Sequence, residues 1–421
     1  MNKKFLTIGI AFLMVAIVTA TAVYFLFPYQ PDQPPKTDDT GSTQSGIQQV
    51  VDANNEFAFN FYSEINKKEE GNIFYSPYSI SAALAMTYEG AKGQTADEMK
   101  SVFHFTDSDI LRPNFASIYN NINKKGKDYK LSTGNALWAQ QDYQFLPDYL
   151  ETVEKYYGGK AANLDFVGES EKSRQTINSF IEQQTNDKIK DLIPPGVLNA
   201  YTRLVLTNAI YFKGTWVKQF DKSDTRDQDF TTISGQKVKT PMMQLTGDDA
   251  EFNYAETDDI QILEMPYDGE DLSMLVLLPK ENNLETVEES LTNEKLSEWK
   301  NMLSEQRVDI YVPKFKFETK YFMVDTLSNM GMPTAFTDSA DFSGMDGTQS
   351  LLIQNVIHQA FVEVNEEGTE AAAATAVVVS IESVGPRIPI FRADHPFIFI
   401  IQEKGTGNIL FMGRMSDPTQ E

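Results

Sequence analysis

From Gly368 to Gly385 the chain contains no proline, and four consecutive alanines, Ala371 to Ala374, lead into Val377-Val378-Val379. If alternate residues share one face of an extended strand, then Thr369, Ala371, Ala373, Thr375, Val377, Val379 and Ile381 lie together. Each of these is small or β-branched, and none is charged. The opposite face carries Glu370, Ala372, Ala374, Ala376, Val378 and Ser380. The segment therefore fits the interior of a sheet, with Glu370 facing out. The same alanines favour helix, or no fixed structure, when such a segment is left on the surface. Such a sequence could hold two conformations.

Composition removes several function classes. The chain has 421 residues, 41% hydrophobic and 12% aromatic, enough for a large core. Its formal net charge of −24 argues against binding nucleic acid or anionic lipid, which require clustered Lys and Arg. The absence of cysteine excludes disulfides, Cys-ligated zinc, iron–sulfur clusters and thiol catalysis. Three histidines, His104, His358 and His395, leave little material for a metal centre or a His-based triad, and no G-x-S-x-G elbow is present. No cofactor, metal site or enzyme activity is expected.

Lys3 and Lys4 precede an uncharged, mostly apolar run of 23 residues from Phe5 to Phe27. At about 1.5 Å per residue it is long enough for a bilayer core of about 30 Å. An uncleaved signal anchor over 1–27 is the preferred reading. Cleavage after the small-x-small triplet Ala20-Thr21-Ala22 is the alternative. Basic charge before the run, and Asp32, Asp38 and Asp39 after it, place the bulk of the chain outside the membrane. Residues 28–47, rich in Pro, Asp, Thr, Ser, Gly and Gln, read as a flexible tether. Residues 48–421 read as one domain.

That domain reads as helices first, then strands. Ser76-Pro77 pairs a capping residue with a proline suited to the first helical turn, and small residues continue to Gly90. Thr95-Ala96-Asp97-Glu98 has capping-box spacing. Pro147 opens a helix that Gly158-Gly159 stops, and Ile177, Phe180 and Ile181 mark the apolar side of another. LVLTNAIYF (204–212) and LSMLVLLP (272–279) have the look of interior strands. VDIYVPKFKFE (308–318) alternates, while HPFIFIIQ and GNILFMGRM flank Gly405-Thr406-Gly407 as a closing hairpin. The fold class is α+β.

EEGTEAAAAT, followed about twenty residues later by FRADHPFIFII, resembles the hinge and C-terminal signature of a serpin. So do NIFYSPYSISAALAMTYEGAKGQT (72–95), LTNAIYFKGTW (206–216), VPKFKFE (312–318), MGMPTAF with ADFSG (330–344) and GNILFMGR (407–414), in order over most of 50–421. The resemblance implies about nine helices around three β-sheets, with an exposed reactive-centre loop near 366–389. It implies a suicide substrate. A protease acylates itself on the loop, and the cut loop enters the central sheet as a new strand.

The resemblance also assigns residues. Gly368 corresponds to the hinge glycine and Thr369 to the first inward side chain. The hinge continues through Glu370, Ala371, Ala372, Ala373, Ala374 and Thr375, of which Ala371 to Ala374 fill the small-residue segment. Counting from Gly368 puts the scissile bond at Glu382-Ser383, with Ile381-Glu382 and Val379-Ser380 as rivals. Arg387 would need a longer loop. Ser76, Ser79, Asn208 and His358 match the shutter where the sheet opens, and Trp216 matches the breach near its top. The implied partner is a serine protease, elastase-like or glutamate-preferring, and the family also includes inhibitors of cysteine proteases. The molecule is expected to be a monomer, meeting no nucleic acid and touching membrane only through its N-terminal segment. The other reading is a non-inhibitory member serving as a cell-surface binding or structural protein.

Overall fold

The computed structural model describes residues 36–420, apart from Lys125 and 370–387. The apolar run expected as an anchor lies outside the described residues, as do the hinge beyond Thr369 and the Glu382-Ser383 bond. Among the described residues, no helix is long and apolar enough to cross a membrane.

Among the described residues there are ten α-helices and three sheets, against the nine or so helices expected. The helix Pro77–Tyr88 forms where the sequence marks it: the Ser76 side chain accepts a hydrogen bond from Ser79 N, and Pro77 follows at the first position. Every residue from Pro77 to Thr87 is buried. Small side chains on all sides let neighbours approach this helix closely, so it runs through the interior rather than over it.

The central sheet positions the site. Its strand Leu204–Thr215 is buried at ten of its positions, which explains why it is mostly apolar. On one side it pairs antiparallel with Tyr129–Thr133 and Ala136–Gln140. On the other it runs parallel to Ile353–Asn365, from Ile353 opposite Leu204 to Phe361 opposite Tyr211. Beyond Phe361 these two strands part. The short strand Gly368–Thr369 turns back between them, antiparallel to both. A seven-stranded sheet containing Leu272–Pro279, Phe397–Glu403 and Ile409–Met415 packs behind the central sheet. Phe411 and Phe399 from that sheet meet Phe212 and Phe315 from the central one, with ring centroids 5.8 and 5.3 Å apart, and Phe74 stacks on both Phe399 and Phe411.

Four local expectations need correction. Strands are not confined to the second half, since Ile73–Tyr75, Ala136–Gln140 and Lys160–Leu164 precede residue 204. Ala136–Gln140 is buried at every position, so it carries no alternation to detect. The stretch 308–318 is two strands, Asp309–Pro313 in the four-stranded sheet and Phe315–Phe322 at the edge of the central one. The chain changes sheets at Pro313-Lys314. Thr95 and Glu98 form no capping box: the helix starts at Gly93, and their side chains instead bond Asp341 N and Thr334. The tether ends before residue 47, because the helix Gln44–Asn66 opens at a Thr43 cap. Thr37 is already buried, its hydroxyl donating to Ala116 O at 3.0 Å.

Candidate functional site

Two polar clusters flank the place where Ile353–Asn365 and Leu204–Thr215 separate. The upper one seats the short strand Gly368–Thr369. Gly368 fits there because a Cβ would collide with the Gly214 carbonyl oxygen and approach Thr215 Cα to 2.8 Å. Thr369 is buried, and its hydroxyl lies 2.8 Å from that of Tyr267. The Tyr267 ring stacks on Trp216 at 4.5 Å between centroids, and Trp216 Nε1 donates to Asn365 O at 3.0 Å. Burial pushes the Tyr267 hydroxyl far up, so it stays a neutral hydrogen-bonding group.

The turn before Gly368 is bound by charge. Glu366 and Glu367 are both buried. Lys314 lies 2.9 Å from Glu366, Thr225 Oγ1 donates to the same carboxylate at 2.8 Å, and Lys222 pairs with Glu367. Burial works against charge on Glu366. The hydrogen bonds from Lys314 and Thr225 outweigh it and hold this carboxyl below the usual carboxylate range. Backbone bonds from Trp216 N to Glu367 O and from Phe220 N to Glu366 O complete the clasp.

The lower cluster joins the buried helix to the two central strands. Ser76 N donates to His358 Nε2 at 3.1 Å, so that nitrogen is the acceptor and Nδ1 carries the proton toward Asn208 Oδ1. Asn208 Nδ2 lies 2.7 Å from Ser79 Oγ and 2.6 Å from Asn135 Oδ1. Ser76 Oγ donates to Leu410 O at 2.6 Å, tying in the hairpin strand behind. Burial drives the His358 pKa down to about 3, so the ring is neutral. Opening the sheet here means parting His358 and Asn208, which sit opposite each other on the two strands.

A match to the family model for serpins, serine protease inhibitors, spans residues 52–418. The chain belongs to the serpin family. This serpin is 43% identical to human Serpin B3 over 391 residues, covering 88% of this chain and 99% of that protein. It is 40% identical to rat leukocyte elastase inhibitor A over 381 residues, covering 88% of this chain and all of the relative. The crystal structure of uncleaved ovalbumin superposes with a TM-score of 0.79 at 34% identity, over 87% of this serpin and all of ovalbumin. The family is described as one of serine protease inhibitors rather than enzymes, and His358, Ser76 and Ser79 are buried and hydrogen-bonded to one another.

The residues singled out from sequence fall into three groups. Ser76, Ser79, Asn208 and His358 are brought into one network. Gly368, Thr369 and Trp216 meet at the upper cluster. Glu370, Ala371 to Thr375, Glu382 and Ser383 lie outside the described residues. Sequence reasoning missed Asn135, Tyr267, Lys314, Lys222 and Thr225. Lys314 had a signal, since it follows the proline at which the 308–318 alternation breaks. The others are isolated polar residues that only the tertiary fold brings to the site.

Proposed function

We propose that this serpin is a suicide inhibitor of serine proteases, acting as a monomer on the outer side of the membrane. The observation that carries the reading is the seat of Gly368–Thr369 between two strands that stay paired below it. Beyond that seat, Glu370 has the outward position and Ala371 to Thr375 supply small side chains with no proline, suited to continuing the strand. From Gly368 to Glu382 the segment is long enough for about 50 Å of strand at about 3.3 Å per residue. Cleavage at Glu382-Ser383 would free this length to insert, with the acylated protease carried along and its active site distorted.

Glu382 suits a glutamate-preferring protease, and the neighbouring valines and isoleucine suit an elastase-like one. The likeness to leukocyte elastase inhibitor A favours the elastase class among serine proteases. A cysteine protease is a further candidate target. The apolar run Phe5–Phe27 is read as the segment that addresses the body across a membrane, as an uncleaved anchor or a cleaved signal.

The test is a panel of elastase-like, glutamyl and trypsin-like proteases. The expected result is an SDS-resistant complex with an elastase-like or glutamyl enzyme, and a released peptide that begins at Ser383 by mass spectrometry. Thr369→Arg should convert the protein from inhibitor to substrate, since a charged side chain forced into the sheet interior costs several kcal/mol unless paired. Full trapping by that variant would overturn the insertion mechanism. Cleavage without any complex would return the binding-protein reading.

A further inference from the structure

Five unpartnered polar groups surround one small cavity in the helical layer, apart from the hinge seat. The cavity has a volume of about 10 Å³ and lies among Phe103, Phe105, Phe115 and Leu111. Among the described residues, ten buried side-chain polar atoms have no hydrogen-bond partner. Half of them belong to residues lining this cavity: Asn54 Oδ1, Tyr78 OH, Ser81 Oγ, Thr106 Oγ1 and Asn408 Nδ2. Leaving even one such group unmet is unfavourable, so a cluster of this kind points to a ligand that meets several at once.

The chemistry of the lining defines that ligand. Asn54 Nδ2 donates to Asn408 Oδ1 and to Ile409 O, both at 2.9 Å. These bonds set both amides, leaving an acceptor on Asn54 and a donor on Asn408. Three hydroxyls, on Tyr78, Ser81 and Thr106, serve in either sense. No charged side chain lines the cavity, so it offers no counter-charge to an ion. The volume matches the roughly 10–15 Å³ needed for a single water.

We infer that this cavity is a hydration site. It binds one water that accepts from Asn408 Nδ2, donates to Asn54 Oδ1, and uses its remaining two bonds on hydroxyls of Tyr78, Ser81 or Thr106. Asn54 lies on Gln44–Asn66, and Tyr78 and Ser81 lie on Pro77–Tyr88, the helix that carries Ser79. Asn408 immediately precedes Ile409–Met415, whose Leu410 carbonyl holds Ser76. The water thus bridges three elements around the lower polar cluster, on an adjoining face of the same helix.

A high-resolution crystal structure of the intact protein should show one water within about 2.7–3.2 Å of at least three of the five atoms. Oxygen-17 relaxation dispersion of the wild type and of Tyr78→Phe/Ser81→Ala/Thr106→Val should show one fewer long-lived water in the triple variant. An empty cavity in the wild-type density would overturn the proposal, as would equal counts of long-lived water in the two proteins. If the triple variant does not fold, the wild-type density decides alone. None of these outcomes bears on protease trapping.

Discussion

At the scale of single residues, His358 has the most testable consequence. Its ring is buried and neutral, bonded to Ser76 N and Asn208 and lying 6.4 Å from the near-parallel ring of Tyr321. Its folded pKa near 3 lies far below the value of about 6.5 expected in the unfolded chain. Between those values the unfolded chain holds a proton that the folded one does not. Stability from this group is therefore complete above about pH 6.5 and falls as the pH drops, by up to about 1.4 kcal/mol per unit. Urea midpoints measured from pH 7 to pH 4.5 should fall less steeply for His358→Gln than for the wild type. Parallel curves would show that the ring does not remain neutral in the fold.

Tyr267 gives a second residue-scale expectation. Tyr267→Phe keeps the stack on Trp216 and removes only the bond to Thr369. The seat of the hinge should weaken by about 0.5–1.5 kcal/mol. Hydrogen exchange at the Thr369 amide should speed up by a factor of roughly 2–10, while exchange in Pro77–Tyr88 stays as it was. Unchanged exchange at Thr369 would mean that the hydroxyl pair contributes nothing to the seat.

The decisive element is the two-residue strand Gly368–Thr369. Only a residue without a Cβ passes the Gly214 carbonyl, so Gly368→Val should unseat the hinge without disturbing the strands below it. Trp216 reports on this directly, because its indole bonds the carbonyl of Asn365 just before the turn. The variant should show shifted tryptophan emission and a larger share of cleaved, untrapped inhibitor in protease titrations. Emission and stoichiometry identical to the wild type would sink this account of the glycine. Other elements divide by how local their causes are. Pro77–Tyr88 and Pro147–Tyr157 are readable because caps, prolines and glycines act within a few residues. The capping-box spacing of Thr95 and Glu98 does not mark the start of the helix at Gly93, because both side chains bond residues in 334–341, out of reach of any local pattern.

For the molecule as a whole, the two parallel strands Ile353–Asn365 and Leu204–Thr215 form a seam closed below Phe361 and occupied above it. Completing that occupation would add strand pairing along the seam at the cost of separating His358 from Asn208. If the trap works, the cleaved protein is the more stable form. Its melting temperature should exceed that of the intact protein, by roughly 1 °C for each kcal/mol gained. Equal melting temperatures would leave insertion without a driving force, whatever the loop sequence.

The sequence alone was sufficient for the family and the α+β class, because order and residue type along the chain carry that information. Its alternation is compatible with a strand over 369–381, since side-chain alternation is a property of the chain itself. Only the tertiary structure could show how far the hinge is already seated and what holds it. The clasp on Glu366 and Glu367 draws on Lys222, Thr225 and Lys314, and the joint draws on Asn135, residues far apart in the chain. A buried charge or amide is decided by which partners the packed elements bring to it, and no periodicity records that.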